Sequence, residues 1–89
     1  MAYRVQFARR AERQFKALPR QVQVRLRARI EALTDDPRPA VAAKLAGPEE
    51  LYRIRVGDYR VVYAVQDAVL LVLVVGVGHR RDVYRRLFS

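Results

Sequence analysis

The most constraining feature of this chain is a predicted β-hairpin over residues 51–63 that collects arginines on one face. Strict alternation over residues 52–56 places Arg53 and Arg55 on one side of a strand and apolar side chains on the other. The pattern predicts a half-buried strand whose polar face is cationic.

A tight turn sets how the second strand of this hairpin pairs with the first. Gly57 and Asp58 are typical of a two-residue hairpin turn with glycine at the first central position. Such a turn places Arg55 directly opposite Arg60, with Arg53 on the same face. Because opposed like charges destabilise a sheet, the arrangement indicates that an anion binds these three arginines.

The composition describes a small folded chain with a large excess of positive charge. Its 89 residues suffice for one two-layer core, and a hydrophobic fraction of 52% argues against disorder. Eighteen basic and nine acidic residues leave a net charge of +9, which favours a nucleic acid or an acidic protein as partner. Sixteen of the bases are arginine, which suits phosphate binding, although a GC-rich genome explains the same ratio. We expect one domain over residues 1–89.

Several kinds of site and location are disfavoured by what the chain lacks. The absence of cysteine excludes disulfides, thiol catalysis and cysteine-ligated metals, and the single histidine makes any metal site improbable. We expect no metal and no cofactor. The N-terminus lacks the apolar segment of a signal peptide, and the longest apolar run, residues 68–77, is about half of what a membrane helix needs. These features predict a cytoplasmic protein without a membrane partner.

The apolar spacing predicts an α+β fold with the element order β-α-α-β-β-β-(α). The predicted elements are a strand over residues 3–7, a helix over 8–18 ended by Pro19, a helix over 20–33, a surface loop over 38–50, the hairpin, an apolar interior strand over 69–77 and an optional terminal helix over 79–89. We predict an antiparallel-rich sheet with a helical hairpin on one face. The arginines of the β-hairpin would then lie on the uncovered face.

Four segments of the chain carry a family resemblance. They are Lys44-Leu45-Ala46-Gly47, Tyr52-Arg53-Ile54-Arg55, Gly57-Asp58-Tyr59-Arg60-Val61-Val62-Tyr63 and Val77-Gly78-His79-Arg80-Arg81-Asp82-Val83-Tyr84. In this order and spacing they resemble the RelE toxins of bacterial type II toxin–antitoxin systems, within the RelE/ParE superfamily. The resemblance implies a ribosome-dependent endoribonuclease, or mRNA interferase, that cuts mRNA in the decoding site. It also implies a RelB-like antitoxin partner, with operator DNA contacted only through the antitoxin complex.

The resemblance further implies which residues act on RNA. The catalytic positions of the family correspond to Arg53, Arg55, Arg60, Arg80 and Tyr84. Many relatives carry lysine where this chain has Arg53 and Arg55, and arginine cannot readily give up its proton to serve as a base. We assign stabilisation of the charged transition state to Arg60 first and to Arg80 second.

The general base is left open among three alternatives. Tyr84 is the first candidate, because neighbouring guanidinium groups would favour its phenolate and lower its pKa. His79 is the second, because its ordinary pKa suits proton transfer. In the third alternative no protein base exists and the ribosomal RNA assists. Without the resemblance, Tyr84 would more often be a core residue and His79 a polar turn residue.

Other basic residues are candidates for sequence-independent phosphate contacts, although solvation of surface charge is the default explanation for arginines on a helix. They are Arg25, Arg29, Lys44, Arg81 and Arg85. For the hairpin arginines the alternative is neutralisation by acids at the hairpin ends, namely Glu49, Glu50 and Asp58. Two other functions compete with RNA cleavage: a ParE-like gyrase-poisoning toxin on the same scaffold, and a non-catalytic nucleic-acid-binding relative.

Overall fold

The computed structural model of the protein describes residues 2–47 and 50–79. Within them the chain forms β1 (Arg4–Phe7), α1 (Arg9–Lys16), α2 (Arg20–Ala32), β2 (Ala43–Lys44), β3 (Leu51–Val56), β4 (Tyr59–Gln66) and β5 (Leu71–His79). A 3-10 helix over Asp67–Val69 joins β4 to β5. No helix in this part of the chain is long and apolar enough to cross a membrane. The predicted terminal helix, apart from His79, lies outside the described residues.

The strands form one mixed sheet in the order β1-β5-β4-β3-β2. β1 pairs in parallel with β5, and the other three pairs are antiparallel. The two helices pack on one face of this sheet, because their buried residues share a single core cluster with β3, β4 and β5. The predicted α+β fold, with a helical hairpin on one face of an antiparallel-rich sheet, is confirmed.

The main departures from the predicted elements are in the loop before the hairpin and at the last strand, which extends to His79, the first residue of the predicted terminal helix. The loop predicted over residues 38–50 contains the two-residue strand β2, which is too short to show a readable alternation. The last strand begins at Leu71 rather than at position 69, because Leu70 adopts a left-handed conformation with φ of 52° after the 3-10 helix. An apolar run does not by itself reveal where its strand begins.

The core between the helices and the sheet follows the predicted periodicities. Leu26, Ile30 and Leu33 are spaced by about one helical turn, and all three are buried on the side of α2 that faces the sheet. Phe15 of α1 and Tyr63 of β4 are buried in the same cluster. Each such side chain stabilises the fold by roughly 1.5–3 kcal/mol through burial of apolar surface. Neither α1 nor α2 covers the opposite face of the sheet.

A buried glutamine joins α1 to the second half of β5. β1 ends opposite Val74, so no strand of the described ranges pairs with the edge of β5 beyond that point. The Val77 N–H on this edge donates a hydrogen bond to Oε1 of Gln14, with an N···O distance of 2.9 Å. Gln14 is the one polar residue among the buried side chains described, and this bond explains its burial.

Candidate functional site

The hairpin formed by β3 and β4 has the predicted turn and register. Gly57 has a φ of 61°, as the first central position of a type II′ turn requires. Arg55 lies opposite Arg60 and Arg53 lies opposite Val62, all on the side of the sheet that faces away from the helices. We call the set Arg53, Arg55 and Arg60 the arginine face.

No carboxylate neutralises the arginine face in the described part of the chain. Its three side chains form no hydrogen bond or ion pair within residues 2–47 and 50–79, so neither Glu50 nor Asp58 pairs with them. Glu49 lies outside these residues. Within the part of the chain that the structure describes, the charges of the arginine face are thus available to an external anion.

Arg60 supplies the clearest sign that an anion belongs on this face. Its Nε is buried and has no hydrogen-bond partner among the described residues, although Arg60 as a whole is only half-buried. A buried unpaired donor costs about 1–3 kcal/mol, and more when it is charged. Across the sheet Arg60 lies between Arg55 and Gly78, and the glycine presents no side chain beside the guanidinium. A phosphate bound at this face would reduce the repulsion between the arginines.

The arginine face borders an apolar patch on the same side of the sheet. Leu51 and Val62 are buried there, and Leu45, Ala64 and Val75 pack against them. The described neighbours of the arginines toward the middle of the sheet are therefore apolar rather than acidic. Charge interactions are stronger next to apolar surface than in open water.

The structure places His79 on the other side of the sheet. His79 pairs with Tyr59 at the end of β5, and the two rings meet edge to face with centroids 5.9 Å apart. Tyr59 packs against the core under the helices. His79 is thus separated from the arginine face by the sheet itself. The remaining predicted catalytic residues, Arg80 and Tyr84, lie outside the described residues.

The predicted phosphate contacts outside the hairpin lie on several elements. Lys44 of β2 pairs with Tyr52, which places it on the side of the sheet opposite the arginine face. Arg29 lines a cleft of about 260 Å³ with Asp36 and other residues of α2, β3 and the loop between them. Arg25 lies beside the hairpin turn. Arg81 and Arg85 fall outside the part of the chain that the structure describes.

One polar cluster at the far end of the sheet has no counterpart in the predictions. Arg38 donates two hydrogen bonds to Asp67, of 2.8 and 3.2 Å, and its Nε donates a third to the Tyr52 hydroxyl at 3.0 Å. The Tyr3 hydroxyl donates to the same carboxylate at 2.5 Å. Hydrogen bonds from Arg38 and Tyr3 lower the pKa of Asp67, and the bond to Asp67 raises the pKa of Tyr3. We call these four residues the Arg38–Asp67 cluster.

Tyr63 lies next to this cluster, and its side chain serves to hold the fold together. Its hydroxyl is buried and donates a hydrogen bond of 2.8 Å to the Pro37 carbonyl. Burial raises the pKa of Tyr63 to about 12, which disfavours its phenolate form. Tyr63 holds the loop after α2 against the sheet and is unsuited to accept a proton.

Known proteins similar to this chain share its length and its fold. A family model described as the ParE toxin of type II toxin–antitoxin system, parDE, matches residues 5–84. The mRNA interferase toxin RelE of Escherichia coli strain K12 is 34% identical over 82 residues, which cover 90% of this chain and 85% of that protein.

Solved structures of RelE proteins agree with this match. The intact E. coli RelBE toxin–antitoxin complex contains a chain that is 31% identical, with a TM-score of 0.79 and coverage of 88% of this chain and 96% of that one. The archaeal RelE–RelB complex from Pyrococcus horikoshii OT3 gives 29% identity and a TM-score of 0.78, covering 90% and 97% of the two chains. The resemblance first drawn from the four segments is confirmed, and this chain belongs to the RelE family of toxins from type II toxin–antitoxin systems, within the superfamily that RelE shares with ParE.

Proposed function

We propose that this toxin is an mRNA interferase, an endoribonuclease that cuts mRNA on the ribosome and is held inactive by a RelB-like antitoxin. The observation that carries the proposal is the arginine face, because Arg53, Arg55 and Arg60 share one side of the hairpin and form no hydrogen bond or ion pair within the described residues. A scissile phosphate would supply the negative charge that these guanidinium groups lack in the described residues. The proposal includes a cytoplasmic location and a single toxin domain over residues 1–89.

The chemistry that suits this face is attack by the RNA itself. The 2′-oxygen forms a bond to the adjacent phosphorus, the bond from phosphorus to the 5′-oxygen breaks, and the products are a 2′,3′-cyclic phosphate and a 5′-hydroxyl. One proton leaves the 2′-hydroxyl and one must reach the 5′-oxygen. Negative charge on the phosphorane exceeds that of the starting phosphate, so fixed guanidinium groups at Arg60 and Arg55 favour the transition state over the bound substrate.

The proton acceptor is a separate question, because arginine remains protonated at any physiological pH. His79 lies across the sheet from the arginines. We therefore propose Tyr84, on the strength of the family resemblance, as the protein group that accepts the proton. Assistance by ribosomal RNA is the alternative.

The test compares two targets with one preparation of the protein. Purified toxin is added to ribosomes translating a defined mRNA and, in parallel, to supercoiled DNA with gyrase and ATP. We expect cleavage of the mRNA only, with a 2′,3′-cyclic phosphate on one product and a 5′-hydroxyl on the other. Cleaved DNA with intact mRNA would contradict the proposal and favour the second candidate, a ParE-like gyrase poison, which the ParE description of the matching family model supports. If neither the mRNA nor the DNA is cleaved, the result would favour a non-catalytic relative.

The antitoxin part of the proposal has its own support and its own test. The net charge of +9 suits an acidic protein partner, and the E. coli RelE chain that this protein resembles was crystallised with RelB. We expect induction of the toxin to arrest growth, and co-expression of a short acidic protein encoded by the neighbouring gene to restore it. Growth arrest that persists despite the co-expressed partner would contradict the assignment.

A further inference from the structure

The tip of the β3–β4 hairpin lies against an arginine from the helical layer. A Cβ placed on Gly57 would lie 3.0 Å from Nη2 of Arg25 and 3.9 Å from two other atoms of its guanidinium group. Gly57 also has a φ of 61°, which residues with a side chain rarely adopt. The turn glycine thus permits both the hairpin conformation and the close approach of this guanidinium.

Arg25 differs from the two arginines that follow it on α2. The Arg27 guanidinium stacks over the Phe15 ring at 5.2 Å from its centroid, and Arg29 lines a cleft together with Asp36. Arg25 is exposed and forms no hydrogen bond or ion pair with any residue of the described ranges. Its donors are available in the position where α2 meets the hairpin tip.

The position of Gly57 links Arg25 to the arginine face. Gly57 follows Arg55 by two residues and precedes Arg60 by three, and two residues of extended strand span about 7 Å. Arg25 therefore extends the positive surface around the tip of the hairpin, from one face of the sheet toward α2. An RNA strand bound with one phosphate on Arg55 and Arg60 would meet this additional guanidinium as it leaves the site past the tip.

We propose that Arg25 binds the mRNA backbone phosphate that neighbours the scissile phosphate, and so positions the strand across the arginine face. This inference rests on the proposed function and names a second phosphate site for it. The neighbouring phosphate keeps its charge throughout the reaction, so its contact stabilises the bound substrate and the transition state equally. Loss of that contact should weaken binding without slowing the chemical step.

The test is single-turnover cleavage of a defined mRNA on ribosomes, with wild type, Arg25→Gln and Arg20→Gln compared over a range of toxin concentrations. Arg20 is a matched control, because it is exposed on the same helix and projects about 140° away from Arg25 around the helix axis. For Arg25→Gln we expect the half-saturating concentration to rise about tenfold, as for loss of one charged contact, with the maximal rate within about twofold of wild type. Arg20→Gln should match wild type.

A second arm identifies which RNA supplies the phosphate. In an otherwise identical mRNA, the linkage beside the cleavage site is replaced by a neutral methylphosphonate. We expect this mRNA to raise the half-saturating concentration of wild type. With the same mRNA, Arg25→Gln should have the same half-saturating concentration as wild type. If the methylphosphonate and Arg25→Gln each raise the half-saturating concentration independently, the assignment to mRNA is overturned and the result points to ribosomal RNA.

The outcomes separate this inference from the proposed function. Wild-type protein that leaves mRNA intact would overturn the function itself. If wild type cleaves mRNA but Arg25→Gln and Arg20→Gln have the same half-saturating concentration, the inference about Arg25 is overturned and the proposed function stands. A fall in maximal rate at unchanged half-saturation would also overturn it, because that result describes a group acting on the reacting phosphate.

Discussion

Arg60 combines burial of its Nε, the absence of an acceptor for that atom among residues 2–47 and 50–79, and a second arginine opposite it on the neighbouring strand. Each of these features lowers the stability of the folded protein, and together they are typical of a site organised before its ligand arrives. The alternation of β4 predicted on which side of the sheet Arg60 lies. The buried, unpaired Nε depends on how neighbouring strands and side chains surround it.

Replacing Arg60 by alanine should separate activity from stability. We expect the cleavage rate at saturating ribosomes to fall by about 10²–10³, as when one preorganised donor to a developing anion is removed. The free energy of unfolding should not fall, because an unpaired donor and a like-charge contact are both lost. Single-turnover cleavage and urea unfolding measure the two quantities, with Arg13→Ala as an exposed control on α1. Full activity of Arg60→Ala would refute its assigned role.

The two candidate bases make opposite predictions. His79 lies on the side of the sheet that faces the helices, so His79→Ala should leave mRNA cleavage on ribosomes within a few-fold of wild type. Tyr84→Phe removes the hydroxyl that we propose as proton acceptor and should reduce cleavage by about 10²-fold or more. Mapping of mRNA ends after induction compares the variants in cells. Unchanged cleavage by Tyr84→Phe would move the role away from the protein.

Among the secondary-structure elements, α1 and β5 are joined through one buried hydrogen bond. Gln14→Leu keeps the volume of the side chain but removes the acceptor for the Val77 N–H. We expect a loss of about 1–3 kcal/mol in the free energy of unfolding, since the buried N–H then has no partner. Urea denaturation measures it, with the exposed Gln21→Leu as the comparison expected to stay within about 0.5 kcal/mol of wild type. Equal stabilities of the two variants would show that the bond contributes nothing.

The Arg38–Asp67 cluster connects the loop after α2 to the turn between β4 and β5, and its contribution should depend on pH. The pKa of Asp67 is lowered in the folded protein, chiefly by hydrogen bonds from Arg38. Its stabilising effect is therefore present above the ordinary carboxyl pKa of about 3.9 and is lost as pH falls through the lower folded value.

Asp67→Asn tests this dependence. The melting temperature of wild type should exceed that of Asp67→Asn near neutral pH, and the difference should shrink as the solution is acidified below about pH 4. Thermal unfolding followed by circular dichroism over this range measures it. If the difference in melting temperature stays constant with pH, the stabilising effect comes from side-chain packing and not from the charge of the carboxylate.

For the whole molecule, the net charge of +9 predicts that binding to ribosomes weakens steeply as salt is added. Each phosphate contact to single-stranded RNA contributes about 0.7 to the slope of log affinity against log salt concentration. Arg53→Gln should lower that slope by about this amount, because Arg53 belongs to the arginine face. Arg13→Gln, which removes the same charge from α1, should leave the slope unchanged. Half-saturating toxin concentrations at several salt concentrations supply both slopes.

The features that the sequence by itself determined arise from residues close together in the chain. The register of Arg55 with Arg60 follows from alternation and from the glycine of the turn, and the buried stripe of α2 follows from helical spacing. Both depend on residues a few positions apart, whose geometry the backbone imposes. The family resemblance added roles to these positions, since its segments span the same hairpin.

Only the tertiary structure decided the remaining features, because their partners are distant in sequence. Gln14 and Val77 are 63 residues apart, and Arg38 and Asp67 are 29 apart. β5 is apolar on both faces, so its sequence has no alternation from which the side occupied by His79 could be read. The contact of Arg25 with the hairpin tip likewise depends on how α2 packs across the sheet. Packing of the helical layer determines these contacts, whereas local chain geometry determines the arginine face itself.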